Sequence, residues 1–256
     1  MGILNVTPDS FSDGGLYLDP SLALQRVQQM CEEGADIIDI GAESSRPGAD
    51  FVSVDEEWKR LEPILSRMSK ESLSAHISVD TNKPEIMKRL NDFGVSMVND
   101  IKGGADRETL ELLADQGLTY VAMHMHKQPD KMQMQPLLGV EAVEDVKSFY
   151  KETLEKLKAA GFSENKIWLD PGIGFGKDDA ANLKLIQHSL QTSLKWNLLL
   201  GISRKSFMGR LLSVDDPVDR DPPSKMLEAC FLMMGVKCIR THDVKSLFQI
   251  REKIFS

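Results

Sequence analysis

Short apolar, β-branched runs alternate with longer stretches of helical periodicity from one end of the chain to the other. The runs at 3–6, 36–40, 76–79, 96–98, 119–123, 166–169, 198–200 and 237–239 read as eight strands, each followed by polar or glycine-rich sequence. Strands separated by amphipathic helices pair in parallel beneath a helical cover. The helices carry start signals of their own. Thr81 or Asn82 is the expected N-cap, with Pro84 in the first turn, of a helix whose apolar face holds Ile86, Leu90 and Phe93. Asp243 likewise stands ahead of Val244, Leu247, Ile250 and Ile254, so a last helix completes the alternation.

Eight parallel strands is the number at which such a sheet closes on itself, so the expected fold is α/β, a single (β/α)₈ TIM barrel over residues 1–256. The competitor is an open doubly wound sheet, which uses the same alternation. Two features weigh against it. The first strand is not followed by a G-x-G-x-x-G turn, and the polar signatures follow nearly every strand instead of gathering at one switch point. Three connections, 7–20, 41–54 and 124–139, exceed the usual short lengths and are expected to serve function.

A chain of 256 residues, 41% hydrophobic and 27% charged, suits one large core and leaves no room for a second domain. No apolar run approaches a membrane span, and no basic stretch with a cleavage site opens the chain, so a soluble, unexported, cytoplasmic protein is expected. Cys31, Cys230 and Cys238 are an odd number in apolar segments, which fits reduced core thiols. The net charge of −8 argues against a general nucleic-acid or acidic-membrane surface. An anionic ligand must therefore meet a local basic site.

Polar residues converge on the C-terminal strand ends, where barrel enzymes build their sites: Asn5, residues 41–48, Asp80, Asn99-Asp100, Met123-His124, Asp170, Ser203-Arg204-Lys205 and Arg240 with His242. Each alone could be structural, since an Asp after a strand is commonly a cap or turn residue. Together they suit an aromatic heterocycle rich in hydrogen-bonding groups. Asp80 and Asp170 would accept from N–H donors, and Asn99 would both donate and accept. Arg46, Arg240 and His242 offer positive charge to an anionic group such as a diphosphate, and Asn5 an oxygen for a hard metal such as Mg²⁺. The bland alternatives are a surface ion pair for Arg46 and a satisfied core histidine for His242.

Residues 170–177, Asp-Pro-Gly-Ile-Gly-Phe-Gly-Lys, invite comparison with a phosphate-binding loop, but only three residues separate Gly172 from Gly176 and Asp178 follows Lys177. A close-approach glycine loop, with Phe175 bordering a flat ligand, is the better reading. His124-Met125-His126 resembles a metal-binding H-x-H and raises a metal-dependent hydrolase as the other enzyme class. Those hydrolases need further ligand histidines, whereas His76, His188 and His242 stand in different contexts, and His188 reads as a helix surface or packing residue. The 13 methionines read as core filling.

Residues 1–15, Met-Gly-Ile-Leu-Asn-Val-Thr-Pro-Asp-Ser-Phe-Ser-Asp-Gly-Gly, resemble the first signature of the dihydropteroate synthase family, and 41–49 are similar to its second. Residues 78–81, 98–100, 170–177, 203–206 and 240–243 resemble the remaining motifs in family order, so the likeness spans essentially the whole chain. The resemblance implies condensation of a dihydropterin diphosphate with 4-aminobenzoate in folate synthesis, a cytoplasmic homodimer, Mg²⁺, and sulfonamides as inhibitors. It implies that Asp80, Asn99, Asp170 and Lys205 hold the pterin, with Met123 packing beside it and Phe175 at its border. Asn5, Arg240 and His242 would form the diphosphate and metal region. Loops 7–20 and 41–54 would close over the substrates and bring Phe11, Asp13, Ser45, Arg46 and Pro47 to the aminobenzoate, whose carboxylate Ser206 would receive. Catalytic weight would fall on Asp80, Asp170, Lys205, Arg240 and Asp13.

Ala42 stands where the family usually has Gly and Ser45 where Thr is common, both small changes. Family members usually carry residues ahead of the first signature, whereas this chain begins inside its first strand; either a truncated first strand destabilises the barrel floor, or a neighbouring segment covers it, or the start is a trimmed one. A non-catalytic pterin-binding barrel, as in methyl-transfer systems, is the reading from another class. The two closing loops and Ser203-Arg204-Lys205-Ser206 separate the two, and both are intact.

Overall fold

The computed structural model describes residues 1–7, 19–44, 51–126 and 136–256. All eight expected strands are present: β1 (Gly2–Asn5), β2 (Ile37–Gly41), β3 (His76–Asp80), β4 (Val95–Asp100), β5 (Thr119–Met123), β6 (Ile167–Asp170), β7 (Leu199–Gly201) and β8 (Cys238–Arg240). Between and after them lie α1 (Pro20–Glu32), α2 (Val54–Met68), α3 (Pro84–Met87), α4 (Arg107–Asp115), α5 (Gly139–Ala159), α6 (Asp179–Thr192), α7 (Ser206–Leu212), α8 (Asp221–Met233) and α9 (Val244–Phe255).

Strands β1 to β6 pair in parallel in chain order, and β7 pairs with β8. Single bridges join the two pieces, Leu169 to Leu198 on one side and Gly2 to Thr241 on the other. Thr241 N donates to Met1 O at 3.0 Å, and Ile3 N donates to Thr241 O at 3.2 Å. The ring so formed has sequential order, which excludes the doubly wound arrangement. Among the described residues no helix is long and apolar enough to cross a membrane.

Strand periodicity of two sorts the side chains into two cores. Ile38 and Ile40 of β2 join the outer core with Val27 and Met30 of α1 and Leu61 and Leu65 of α2. The alternate positions make a separate inner plug of Met1, Met97, Val121, Leu199 and Cys238, with Ile37 and Trp168 packed against it. Two residues further along the same strands stand Asn99, Met123, Gly201, Arg240, Asp39 and Asp170. Strands β4 to β8 therefore each carry an apolar plug residue and, one inward position later, a residue of the C-terminal rim, while on β2 Ile37 is followed by Asp39, one inward position below that rim.

Asp19, Ser53, Asp106, Asp178 and Asp243 cap α1, α2, α4, α6 and α9 through side-chain oxygens, Asp243 as expected. The expected cap at Thr81 or Asn82 is corrected. The N-cap of α3 is Lys83, without a side-chain cap bond, while Thr81 Oγ1 accepts from Lys83 N at 3.3 Å. That hydroxyl sits too early in the chain to reach the first helical N–H groups, and Pro84 at the first position has no N–H to offer. The helix stops after one turn, so Leu90 and Phe93 lie on a separate 3₁₀ turn instead of one continuous face. All three cysteines are free, Cys238 in the inner plug, where burial pushes its thiol up to about 11.

Leu65 of α2 has no exposed surface, and Leu65→Ala is expected to lower unfolding free energy by about 2–5 kcal/mol. Lys59→Ala, on the exposed face of the same helix, should change it by less than ~0.5 kcal/mol. Chemical denaturation of both variants checks the pair.

Candidate active site

Register places the candidate residues side by side on one rim. Asn5 pairs with Gly41, Gly41 with Asp80 and Asp80 with Asn99. Met123 pairs with Asp170, and Gly201 with Arg240. Pairing thus aligns Asn5, Asp80 and Asn99 on one stretch of the rim and Met123 with Asp170 on another, and closure of the ring brings Arg240 to the first. Phe11, Asp13, Ser45, Arg46 and Pro47 lie outside the described residues.

Arg240 reaches from β8 past β1 to two carboxylates. Its Nε donates to Asp39 Oδ2 at 2.6 Å and its Nη2 to Asp80 Oδ2 at 3.1 Å. Burial works against the guanidinium charge, but Asp39 and Asp80 hold its pKa above the ordinary value. Two of its five donors are thereby used, and three remain for a ligand among the described residues. Asp39 also accepts from Ser78 Oγ at 2.6 Å and from Asn99 Nδ2 at 3.0 Å. The Asn99 amide nitrogen is therefore partly committed to protein, whereas its Oδ1 is buried and unpartnered among the described residues. Toward a ligand, Asn99 acts first as an acceptor.

Burial lifts Asp80 to about 7, against the pull of Arg240 and with the repulsion of Asp39, Glu57 and Asp100. Burial also raises Asp170, offset by the Gly172 N–H, which donates to its Oδ1 at 2.7 Å, and by Lys205. Lys205 is pushed down to about 8 by burial, with Asp170 drawing it back up. Its ammonium stands 3.8 Å above the centre of the Phe175 ring, a cation–π contact that fixes both groups at the same border.

The glycine loop proves to be a close approach to protein backbone. A Cβ at Gly172 would overlap the His124 carbonyl oxygen, and one at Gly176 the His126 carbonyl oxygen. Gly172, Gly174 and Gly176 all have positive φ. Lys177, only 2% exposed, donates to the carbonyls of Phe175 at 2.8 Å, Gly172 at 2.9 Å and His124 at 3.3 Å, stapling the loop to the end of β5. Three acceptors require all three ammonium hydrogens, although burial pushes this lysine down to about 7.

His124 is paired through one ring nitrogen. Its Nε2 meets Asp145 Oδ2 of α5 at 2.9 Å, burial pushes it down to about 4, and among the described residues no group of three His, Cys, Asp or Glu could hold a metal ion. Asp100 is a turn residue: it accepts from Lys102 N, Gly104 N and the Tyr120 hydroxyl. Ser203 Oγ lies 3.0 Å from His242 Nδ1, holding that ring beside β8, while Arg204 turns away to Asp221 at 2.7 Å. Ser206 begins α7 after the N-cap Lys205. His188 lies half-buried in α6.

Sequence reasoning missed Asp39 and the lysine clamps. Lys83 Nζ pairs with Glu43 at 2.6 Å and with the fully buried Glu57, and Val52 N donates to Glu43 Oε1 at 3.0 Å, so one carboxylate ties both ends of the β2–α2 connection. The signal was an Asp inside the apolar strand Ile37-Ile38-Asp39-Ile40-Gly41, where a charge must find partners to remain buried.

Residues 1–242 match the family model described as pterin binding enzyme. The chain belongs to this family. It is 41% identical to the dihydropteroate synthase of Neisseria meningitidis serogroup C over 251 residues, covering 96% of this chain and 88% of that protein. The solved structure of Yersinia pestis dihydropteroate synthase with a sulfonamide drug complex matches with a TM-score of 0.92 at 39% identity, over 100% of this chain and 92% of that one. The Xanthomonas albilineans dihydropteroate synthase with 4-aminobenzoic acid matches with a TM-score of 0.88 at 35% identity, over 100% and 91%. Family and fold agree with the barrel derived from strand spacing.

Lys177→Met keeps the length of the side chain but strips three carbonyls of their donor, each worth about 1–3 kcal/mol when buried. A stability loss of at least ~3 kcal/mol is expected, read as a lower denaturation midpoint with unchanged slope.

Proposed function

We infer that this chain condenses 6-hydroxymethyl-7,8-dihydropterin diphosphate with 4-aminobenzoate to give 7,8-dihydropteroate and diphosphate, a transferase step of folate synthesis. The observation that carries the reading is the rim itself. The carboxylates Asp80 and Asp170 and the unpartnered Asn99 oxygen form an acceptor set suited to the N–H edge of a pterin, with Lys205 beside them and Arg240 at the neighbouring strand end. The relative described with 4-aminobenzoic acid and the one described with a sulfonamide support the second substrate.

In this reading the bond from the exocyclic CH₂ to the diphosphate oxygen breaks with its electron pair leaving on diphosphate. The aryl amine then forms the new C–N bond and releases a proton. The cation that develops at carbon is stabilised by Asp80 and Asp170 acting electrostatically, and Arg240 with His242 receives the departing anion. Asn5, whose amide makes no hydrogen bond to the described residues, would be the protein ligand for a Mg²⁺ ion bound with the substrate. Such an ion would share the leaving-group charge. Phe11, Asp13, Ser45, Arg46, Pro47 and Ser206 complete the aminobenzoate side. Free thiols suit a reducing cytoplasm, and the exposed Leu211, Leu212, Met226 and Met233 on α7 and α8 suit pairing with a second copy.

Dihydropteroate formation from the two substrates, with and without Mg²⁺, tests the reaction directly; no product with either substrate withheld and full product with both is expected. Arg240→Lys keeps the charge but cannot hold Asp39 and Asp80 while facing an anion, so leaving-group stabilisation should fall by about 1.5–3 kcal/mol, roughly ten- to hundred-fold in kcat. Free pterin lacks the diphosphate, and its affinity, measured by calorimetry, should stay within about threefold.

The pH dependence has a definite sign. Asp80 accepts from the pterin when ionised, so free-pterin binding should strengthen as pH rises through about 7 and weaken again above about 8 as Lys205 loses its charge. Arg240 lowers the Asp80 pKa, so Arg240→Gln should move the acid limb to higher pH in a binding titration.

A further inference from the structure

Asp39 lies in the middle of β2, one inward position before the rim, and its side chain has no exposed surface. Both of its oxygens are engaged by protein, Oδ1 by Ser78 and Oδ2 by Asn99 and Arg240. It is closed to any ligand. Its influence passes through the two residues it holds, and those two face different halves of the site.

A carboxylate can only accept, so Asn99 must turn its Nδ2 toward Asp39. The Asn99 Oδ1, buried without a partner among the described residues, is consequently the atom presented to the pterin. On the other side, Asp39 takes the Nε edge of Arg240, with Asp80 taking Nη2, so the remaining guanidinium donors are the ones left for the leaving group. One buried charge thus sets the polarity of the acceptor that reads the pterin and the aim of the cation that receives diphosphate.

We propose that Asp39 is a positioning residue of the site, orienting Asn99 toward the pterin and Arg240 toward the leaving group while touching neither substrate. The inference rests on the condensation reaction proposed above. Two variants separate its two effects. Asp39→Asn keeps the volume, the Ser78 hydroxyl can turn to accept from the new amide, and the amide oxygen can still accept from Asn99 and Arg240. Only the charge is lost. Asp39→Ala removes the acceptor from both.

The experiment measures free-pterin affinity by calorimetry, kcat and KM for the dihydropterin diphosphate, and thermal melting, on the parent and both variants. Asp39→Asn is expected to lose about tenfold or more in kcat, because Arg240 is held by a neutral acceptor, with KM and free-pterin affinity within about threefold of the parent. Asp39→Ala is expected to lose kcat and, in addition, about tenfold or more in free-pterin affinity, because the Asn99 amide is released. Parental kcat in Asp39→Asn, or kcat and pterin affinity falling in the same proportion in that variant, overturns the proposal. Should Asp39→Ala not fold, the isosteric variant alone decides. A parent that makes no dihydropteroate sinks the reaction reading, whereas an active parent beside an unaffected Asp39→Asn sinks only the role of Asp39.

Discussion

Arg240 spans the barrel mouth from β8 to Asp39 on β2 and Asp80 on β3, and this three-charge arrangement constrains everything around it. Charges removed from water must be matched by partners in good geometry, since a buried pair with one member missing is strongly destabilising. The barrel meets that condition by parallel pairing: β2 and β3 are neighbours in register, Asp39 beside Ser78 and Gly41 beside Asp80. The ring must also close at β1 and β8 for Arg240 to arrive from the far side. The Gly2 to Thr241 bridge does this, immediately next to Arg240 in the chain.

Beneath the charged rim lies the apolar plug of Met1, Met97, Val121, Leu199 and Cys238. Its effect is electrostatic as well as structural. A dry floor keeps water from solvating the rim from below, which is why burial is the first cause of the raised Asp80 and Asp170 and of the lowered Lys205. These opposing shifts bring a carboxylate near 7 and an ammonium near 8 into the range where small changes in ligand charge alter protonation.

The walls of the site are made by chain segments that lean on each other. Lys177 staples the β6–α6 glycine loop to the end of β5, and Lys83 with Glu43 and Glu57 clamps the base of the β2–α2 connection. Lys177 donates all three ammonium hydrogens to carbonyls, and Lys83 donates to two carboxylates. Their role is to fix backbone at the rim, leaving Lys205 and Arg240 as the rim cations with donors still available for ligands among the described residues.

The sequence by itself determined the eight strands, their parallel alternation with helices and the polar ends at Asn5, Asp80, Asn99, Asp170 and Arg240, because strand period, turn chemistry and residue type are local properties. Family motifs added the substrates. Only the tertiary structure decided which of the polar residues act on a ligand and which on each other. Asp100 and Asp170 look alike in sequence, yet one is saturated by its own turn and a tyrosine while the other faces the site. Lys177 reads as a phosphate-loop lysine and is a staple. Asp39 shows in the sequence only as a charge inside an apolar strand; its partners, Ser78, Asn99 and Arg240, stand 39, 60 and 201 positions away, and only closure of the ring brings them to one carboxylate.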